Sequence, residues 1–352
     1  MKKDTETKQM GLIIQPGAVG DVILTIPLIR LLRKRMGLNQ VDVMGRQERM
    51  DLLAGRCEVG QIISLERSGL HKMFEESNKF ELPEGDELFE LFRPYDVIAT
   101  FLKDKQGYFE QNLIFTAWCT HSAEVMTLEL RPKGDWPGHA AGFFMQQFCE
   151  LKLRESGIVR RMTTAQERVQ LSLLEEFMAP PLIKVQQRDI NRGREILIRE
   201  GIKEANKAVV VHPGSGGKHK CWFIKDFCDL AGYLTEEGME VMFLLGPAEQ
   251  ERWGEKERSE LGEAGLVLEG LNLEEVAGLL SCCAGFVGND SGISHLAGAL
   301  DLPTVAIFGE SDIRHWRPLG QKVNICQSKE EASGVWPKVE EVAEAVIRFF
   351  EG

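Results

Sequence analysis

Two series of short Val/Ile/Leu-rich runs constrain this chain more than any other feature. Each run closes on a glycine or a polar residue and is followed by a longer stretch with helical spacing. The first series is "GLIIQ" (11–15), "QVDVMG" (40–45), "QIISL" (61–65) and "YDVIATF" (95–101). The second is "KAVVVHPG" (207–214), "MEVMFLLG" (239–246), "LVLEG" (266–270), "AGFVGN" (284–289) and "PTVAIFG" (303–309). Runs apolar at successive positions predict strands covered on both faces. Strands separated by helices predict a parallel, doubly wound sheet. The pattern occurs twice, so the expected class is α/β with two Rossmann-like doubly wound domains. The 352 residues are long enough for both.

Pro180 and Pro181, in "FMAPPLIKVQQRD", stop a helix and mark the joint. The expected division is 1–183 for the first domain and 184–336 for the second. Residues 337–352, with "PKVEEVAEAVIRFF", are read as a closing helix. Open α/β sheets hold ligands at the carboxyl ends of their strands, so two domains facing a central cleft are expected to bind there.

The net charge is −12, most of it in the C-terminal half, which argues against nucleic acid as a partner. The eight cysteines show no CxxC pair and no metal-type spacing with histidine, as expected of thiols in a reducing compartment. The N-terminal "MKKDTETKQM" is polar, and no apolar run approaches the ~20 residues that span a bilayer. These features point to the cytoplasm, with room for contact at a membrane surface.

Three segments past predicted strand ends carry polar chemistry. In "GFVGNDSGISHLAGAL" a strand ends near Val287, and Asp290, Ser291 and Gly292 open a helix that carries His295. A helix start offers unpaired N–H groups and suits a phosphate, though Asp290 and Ser291 are also ordinary capping residues. In "VVVHPGSGGKHKCW" a loop with Ser215, Gly216, Lys218 and Lys220 follows a strand; its amides can form an anion nest beside a mobile charge. A solvated polar loop would look the same. It is neither a Walker A loop nor a G-x-G-x-x-G fingerprint. In "LLGPAEQER" Glu249 lies where an acid can hold ribose hydroxyls, or where it merely begins a helix.

Near the start, "GAVGDVILTIP" places Gly17, Gly20 and then Asp21 at the head of a helix. A carboxylate there favours the helix dipole, and it can also accept a proton from a hydroxyl. Pro27 should bend this helix. Arg30, Arg33, Lys34 and Arg35 near its end fit the usual C-terminal charge bias, and second a docking patch for an anionic acceptor.

Together, "GAVGDVILTIPLIRLLRK", "HPGSGGKHKCW" and "NDSGISHLAGALDLPTVAIFG" resemble glycosyltransferase family 9, the bacterial lipopolysaccharide heptosyltransferases. The resemblance implies a GT-B fold and inverting transfer of a heptose, or a related sugar, from ADP-heptose to a lipopolysaccharide inner-core acceptor. It places Asp21 on the catalytic base and Lys220 on the lysine that holds the pyrophosphate, with Ser215 and Gly216 in the same loop. Glu249 becomes the ribose contact. Asp290, Ser291, Gly292 and His295 fall on the segment touching sugar and phosphates. His139, in "GHAAGFFMQQF", resembles an acceptor-side histidine, and Arg30 and Lys34 belong to that side. Phe223 and Glu310 depart from the family pattern, and 65–175 matches only loosely. No metal and no cofactor are expected, in keeping with the missing D-x-D. The partners implied are the sugar nucleotide and an anionic glycolipid, met at the inner face of the membrane. The alternatives are another GT-B enzyme using a UDP-sugar, and a non-catalytic sugar-nucleotide-binding protein.

Overall fold

A computed structural model describes residues 9–120, 123–133, 135–155, 174–328 and 336–350. The polar stretch 1–8 and residues 156–173, within the loosely matching region, lie outside the described residues. The chain divides into two compact units, Met1–Met178 and Ala179–Gly352.

The first unit holds a five-stranded sheet of order β3-β2-β1-β4-β5. Its strands are β1 (Met10–Ile14), β2 (Gln40–Gly45), β3 (Ile62–Ser64), β4 (Val97–Thr100) and β5 (Glu124–Thr127). All pair in parallel. The helix Val19–Arg35 runs unbroken through Pro27 and is buried at nearly every position from Gly20 to Leu32. It packs on the helix Ala140–Glu155 and on the turn Glu175–Met178. A helix apolar on all sides is an internal one, which is why this segment carries so little charge before Arg30.

The second unit holds a six-stranded sheet of order β11-β10-β9-β6-β7-β8. Its strands are β6 (Ala208–His212), β7 (Glu240–Leu245), β8 (Leu266–Glu269), β9 (Gly285–Asn289), β10 (Thr304–Phe308) and β11 (Val323–Gln327). These also pair in parallel. Val209, Val211, Phe243, Val287 and Ile307 project from one face into a core shared with Phe227, Leu230 and Leu234 of the helix Ile224–Glu236. The closing helix, Val339–Phe350, seals that core with Val342, Ala343 and Val346.

Leu182 and Ile183 both donate backbone hydrogen bonds to Ala299 O. The segment after the prolines is therefore bound into the second unit, a few residues ahead of the expected border. Strands β5 and β11 were not expected from the sequence. Both are edge strands, and their half-buried residues lack the continuous apolar run of a central strand.

The helices Gln187–Arg199 and Leu273–Leu280 touch backbone to backbone at Gly193 and Gly278. A Cβ on Gly278 would collide with Asp189 O, and one on Gly193 with Gly278 O. Gly232, on the exposed side of the helix Ile224–Glu236, has nothing within 4 Å of its missing Cβ. Two substitutions should therefore act with opposite sign. Gly278→Ala is expected to destabilise by about 1–3 kcal/mol through overpacking. Gly232→Ala should stabilise by up to about 1 kcal/mol through helix propensity. Thermal unfolding midpoints of the two variants check both.

Candidate functional site

The carboxyl edge of the second sheet gathers the segments singled out above. Strand β6 ends at His212 and runs into Pro213, Gly214, Ser215, Gly216 and Gly217; the loop returns at Trp222. Its neighbour β9 ends at Asn289, one register step beyond the His212–Gly288 pair. The Asn289 side chain is 0% exposed. Its Nδ2 donates to Pro213 O at 2.8 Å and to Gly214 O at 3.4 Å, while its Oδ1 accepts from Trp222 N at 3.0 Å. One amide thus pins both feet of the loop. Between the feet, the N–H groups of Gly214, Ser215, Gly216 and Gly217 bond to no acceptor among the described residues. A run of free amides on a fixed loop can form an anion-binding concavity.

Asp290 and Ser291 follow. Ser215 Oγ donates to Asp290 O at 2.7 Å, and Lys220 Nζ lies 2.6 Å from Asp290 Oδ2. The Asp290 side chain is 6% exposed and that of Lys220 29%, so the ion pair sits at the rim of the unit. Ser291 caps the helix Gly292–Ala299, its Oγ accepting from Ser294 N at 3.3 Å. The Ser294 hydroxyl turns back to Asn289 O. His295 is buried one turn into the same helix.

The third segment follows β7. Glu249 is 3% exposed, and its Oε2 accepts from Gly246 N at 3.0 Å. A Cβ at Gly214 would run into the Glu249 carboxylate, so only glycine lets the loop lie this close. His212 is buried beside them, and its Nδ1 lies 2.8 Å from Leu244 O. A carbonyl only accepts, so the proton is on Nδ1. Burial pushes the His212 pKa below its ordinary 6.5, against the opposing pull of the Glu249 charge and the Leu244 carbonyl.

The first unit places Asp21 just past β1, in the first turn of the helix Val19–Arg35. Its Oδ2 accepts from Ala18 N at 2.9 Å; Oδ1 makes no hydrogen bond among the described residues. The acid stands in the first turn, as the dipole reading expected, and bonds the N–H of the capping residue with one oxygen to spare. Arg30 is largely buried, its Nε 3.1 Å from Glu58 Oε1, and Nη1 donates to Phe177 O. Lys34 Nζ lies 5.8 Å from the centre of the Phe177 ring. Arg30 is therefore engaged inside its own unit, while Lys34 lies against the Glu175–Met178 turn. His139 Nδ1 accepts from Ala141 N at 3.1 Å, at the head of the helix Ala140–Glu155.

Comparison with known proteins adds the decisive observation. The model of glycosyltransferase family 9 (heptosyltransferase) matches residues 155–342, more than half of the chain. The chain belongs to glycosyltransferase family 9. Lipooligosaccharide heptosyltransferase 2 of Haemophilus influenzae is 27% identical over 322 residues, covering 89% of this chain and 87% of that protein. Among solved structures, a family 9 glycosyl transferase from Veillonella parvula matches with a TM-score of 0.70 at 16% identity, covering 100% of this chain and 99% of that one. Escherichia coli ADP-heptose heptosyltransferase II gives 0.68 at 19%, covering 97% and 99%. These likenesses establish the two-Rossmann GT-B fold for this family 9 chain.

Within this family 9 fold, the second unit brings together Ser215, Gly216, Lys220, Glu249, Asp290, Ser291, Gly292 and His295 in three adjoining segments. Asp21, Arg30, Lys34 and His139 stand on the first unit. Sequence reasoning passed over Asn289, His212 and Arg252. Asn289 was visible only as part of a turn; its position at a strand's last residue, beside a strand ending in glycines, was the available signal.

Asn289→Ala removes bonds to both feet of the loop and leaves the Trp222 N–H without its acceptor. A loss of about 1–3 kcal/mol is expected, read as a lower unfolding midpoint. His212 gives a pH test. Its folded pKa is lowered, so above about pH 6.5 both states hold it neutral and it contributes no slope. Below that value the unfolded chain takes up the proton first, and stability falls with pH until the folded pKa is passed. His212→Asn keeps a donor for Leu244 O and should flatten the decline in unfolding temperature between pH 6.5 and more acid values.

Proposed function

We propose that the protein is an inverting glycosyltransferase that moves a heptose, or a related sugar, from ADP-heptose to a lipopolysaccharide inner-core acceptor. The observation that carries this reading is the cradle at the carboxyl edge of the second sheet. Its free amides at 214–217 and the Lys220–Asp290 pair share one rim, and the helix start at Ser291 and Gly292 adjoins them. That chemistry suits a diphosphate. Glu249, held under Gly214, is assigned to the ribose hydroxyls. The printed names of the relatives, heptosyltransferases among them, support the donor and acceptor classes.

In the proposed reaction an acceptor hydroxyl attacks the anomeric carbon from the face opposite the nucleotide. Its proton passes to the Asp21 carboxylate, a new carbon–oxygen bond forms, and the bond from the anomeric carbon to the diphosphate breaks. The Asp21 oxygen that makes no protein hydrogen bond is suited to take that proton. Lys220 and the 214–217 amides meet the charge that grows on the departing ADP, a contribution that is often the largest in such a step. No metal is required in this scheme. Lys34 and His139 are assigned to the acceptor side, with Arg30 holding the helix that carries Asp21. Among the described residues no helix is long and apolar enough to cross a membrane. The proposed site of action is the cytoplasmic face of the inner membrane, where a glycolipid acceptor is presented.

The test is transfer itself. Purified protein, ADP-heptose and a heptose-deficient lipopolysaccharide should yield a product one heptose heavier by mass spectrometry. Asp21→Asn should lower kcat by about 10²–10⁴-fold and leave ADP affinity near the wild-type value. Tighter binding of UDP than ADP would move the reading to a UDP-sugar enzyme. Full turnover in Asp21→Asn would remove the base, and nucleotide binding without transfer to any acceptor would leave a non-catalytic binder.

A further inference from the structure

Arg252 ends the short helix Pro247–Arg252, which carries Glu249 in its first turn. Its Nη1 donates to Ser215 O at 3.3 Å and lies 3.8 Å from Cys221 Sγ. The guanidinium therefore touches the loop near both of its limbs. Nε and Nη2 make no hydrogen bond, and no carboxylate pairs with the group, among the described residues. A partly buried arginine with no carboxylate partner among the described residues thus stands beside the run of free amides.

The charges around the loop show what this arginine changes. Lys220 and Asp290 lie 2.6 Å apart and cancel. Glu249 is buried beneath Gly214 and adds a negative charge. His212, behind it, is neutral because burial disfavours its cation. Lys218 is exposed, where solvent weakens its field. Without Arg252 the inner group sums to a negative charge, facing a ligand that carries two more. With Arg252 the balance is neutral, and the amides can hold the anion.

We propose that Arg252 supplies the second positive charge of the diphosphate site, its Nε and Nη2 edge meeting the phosphate oxygens while Nη1 stays on Ser215 O. The inference rests on the nucleotide-donor reading above and assigns one more of that site's groups. An arginine suits this place because its planar fork can serve a carbonyl with one nitrogen and a phosphate with the others.

The test uses the full chain and isothermal titration with ADP, AMP and adenosine. Wild type is titrated first with ADP and UDP, and the series follows whichever base binds tighter. Arg252→Gln should weaken the diphosphate by roughly 10- to 100-fold, the range for a hydrogen bond to a charged group. It should weaken the monophosphate less and leave the nucleoside unchanged. It should also reduce the salt dependence of diphosphate binding. Arg252→Lys keeps the charge without the fork and should fall between. Unchanged diphosphate affinity in Arg252→Gln overturns the assignment. So does an equal loss for diphosphate and nucleoside with a lowered unfolding midpoint, which would make Arg252 only a prop for the loop. Should Arg252→Gln not fold, Arg252→Lys decides: nucleoside binding kept and diphosphate binding intermediate supports the proposal, and equal loss of both refutes it. A wild type that binds none of these nucleotides defeats the donor reading and this assignment together, a result distinct from failure of the variants alone.

Discussion

Asn289 sits at the last position of β9, sealed from solvent, and its amide group bonds the backbone at both feet of the 213–222 loop. Most of the candidate site follows from that contact. Because the feet are held, the amides of 214–217 need no partners within the protein and are left available. Because Trp222 is drawn in, its ring packs edge-on at 5.1 Å against Phe227, anchoring the next helix to the core. The parallel sheet makes the contact reachable, since β6 and β9 end side by side although 76 residues separate Asn289 from Pro213. A buried amide with all its strong bonds made stabilises a loop; with one missing, it would cost more than an apolar residue in its place.

Electrostatics then act on a scaffold already fixed. The cradle is not simply basic. Lys220 is held by Asp290, and a buried glutamate lies under the loop. In the proposed site an anion would be met by oriented amides and a narrow balance of side-chain charges, and less by a general positive field. This agrees with a chain whose net charge is −12 and whose second half holds most of it. The polar groups lie on each unit separately: oriented amides and a Lys220–Asp290 pair on the second, and on the first the Asp21 carboxylate at a helix head.

Central strands were legible because burial on both faces writes itself as continuous Val, Ile and Phe, as in "AVVVH" and "TVAIF". The edge strands "EVMT" and "VNICQ" were not, because half their surface answers to other neighbours. Pro27 was expected to bend its helix; the element runs on through it from Val19 to Arg35, with Ile26 and Leu28 buried on either side. At the site, the segments were legible but their wiring was not. Glycine, serine and lysine after a strand announce a loop that can hold an anion. Nothing in "NDSG" says that its asparagine reaches back to a proline carbonyl, or in "AEQER" that the last arginine touches Ser215. Those facts depend on which strands become neighbours. Arg30 shows the converse: it reads as a surface cation by position, but an internal helix turns it toward Glu58 and a backbone carbonyl.

Fixing a loop at its feet and along its flanks has a consequence for how such a protein changes over generations. Lys218 and His219, exposed at the crown of the loop, make no side-chain bond to the rest of the fold among the described residues, so they can be rewritten while the hinge points stay put. A lineage can reshape the exposed crown by drifting there, with the sheet below undisturbed. Asn289 has no such latitude, because a change at that one position unfastens both ends of the strap at once.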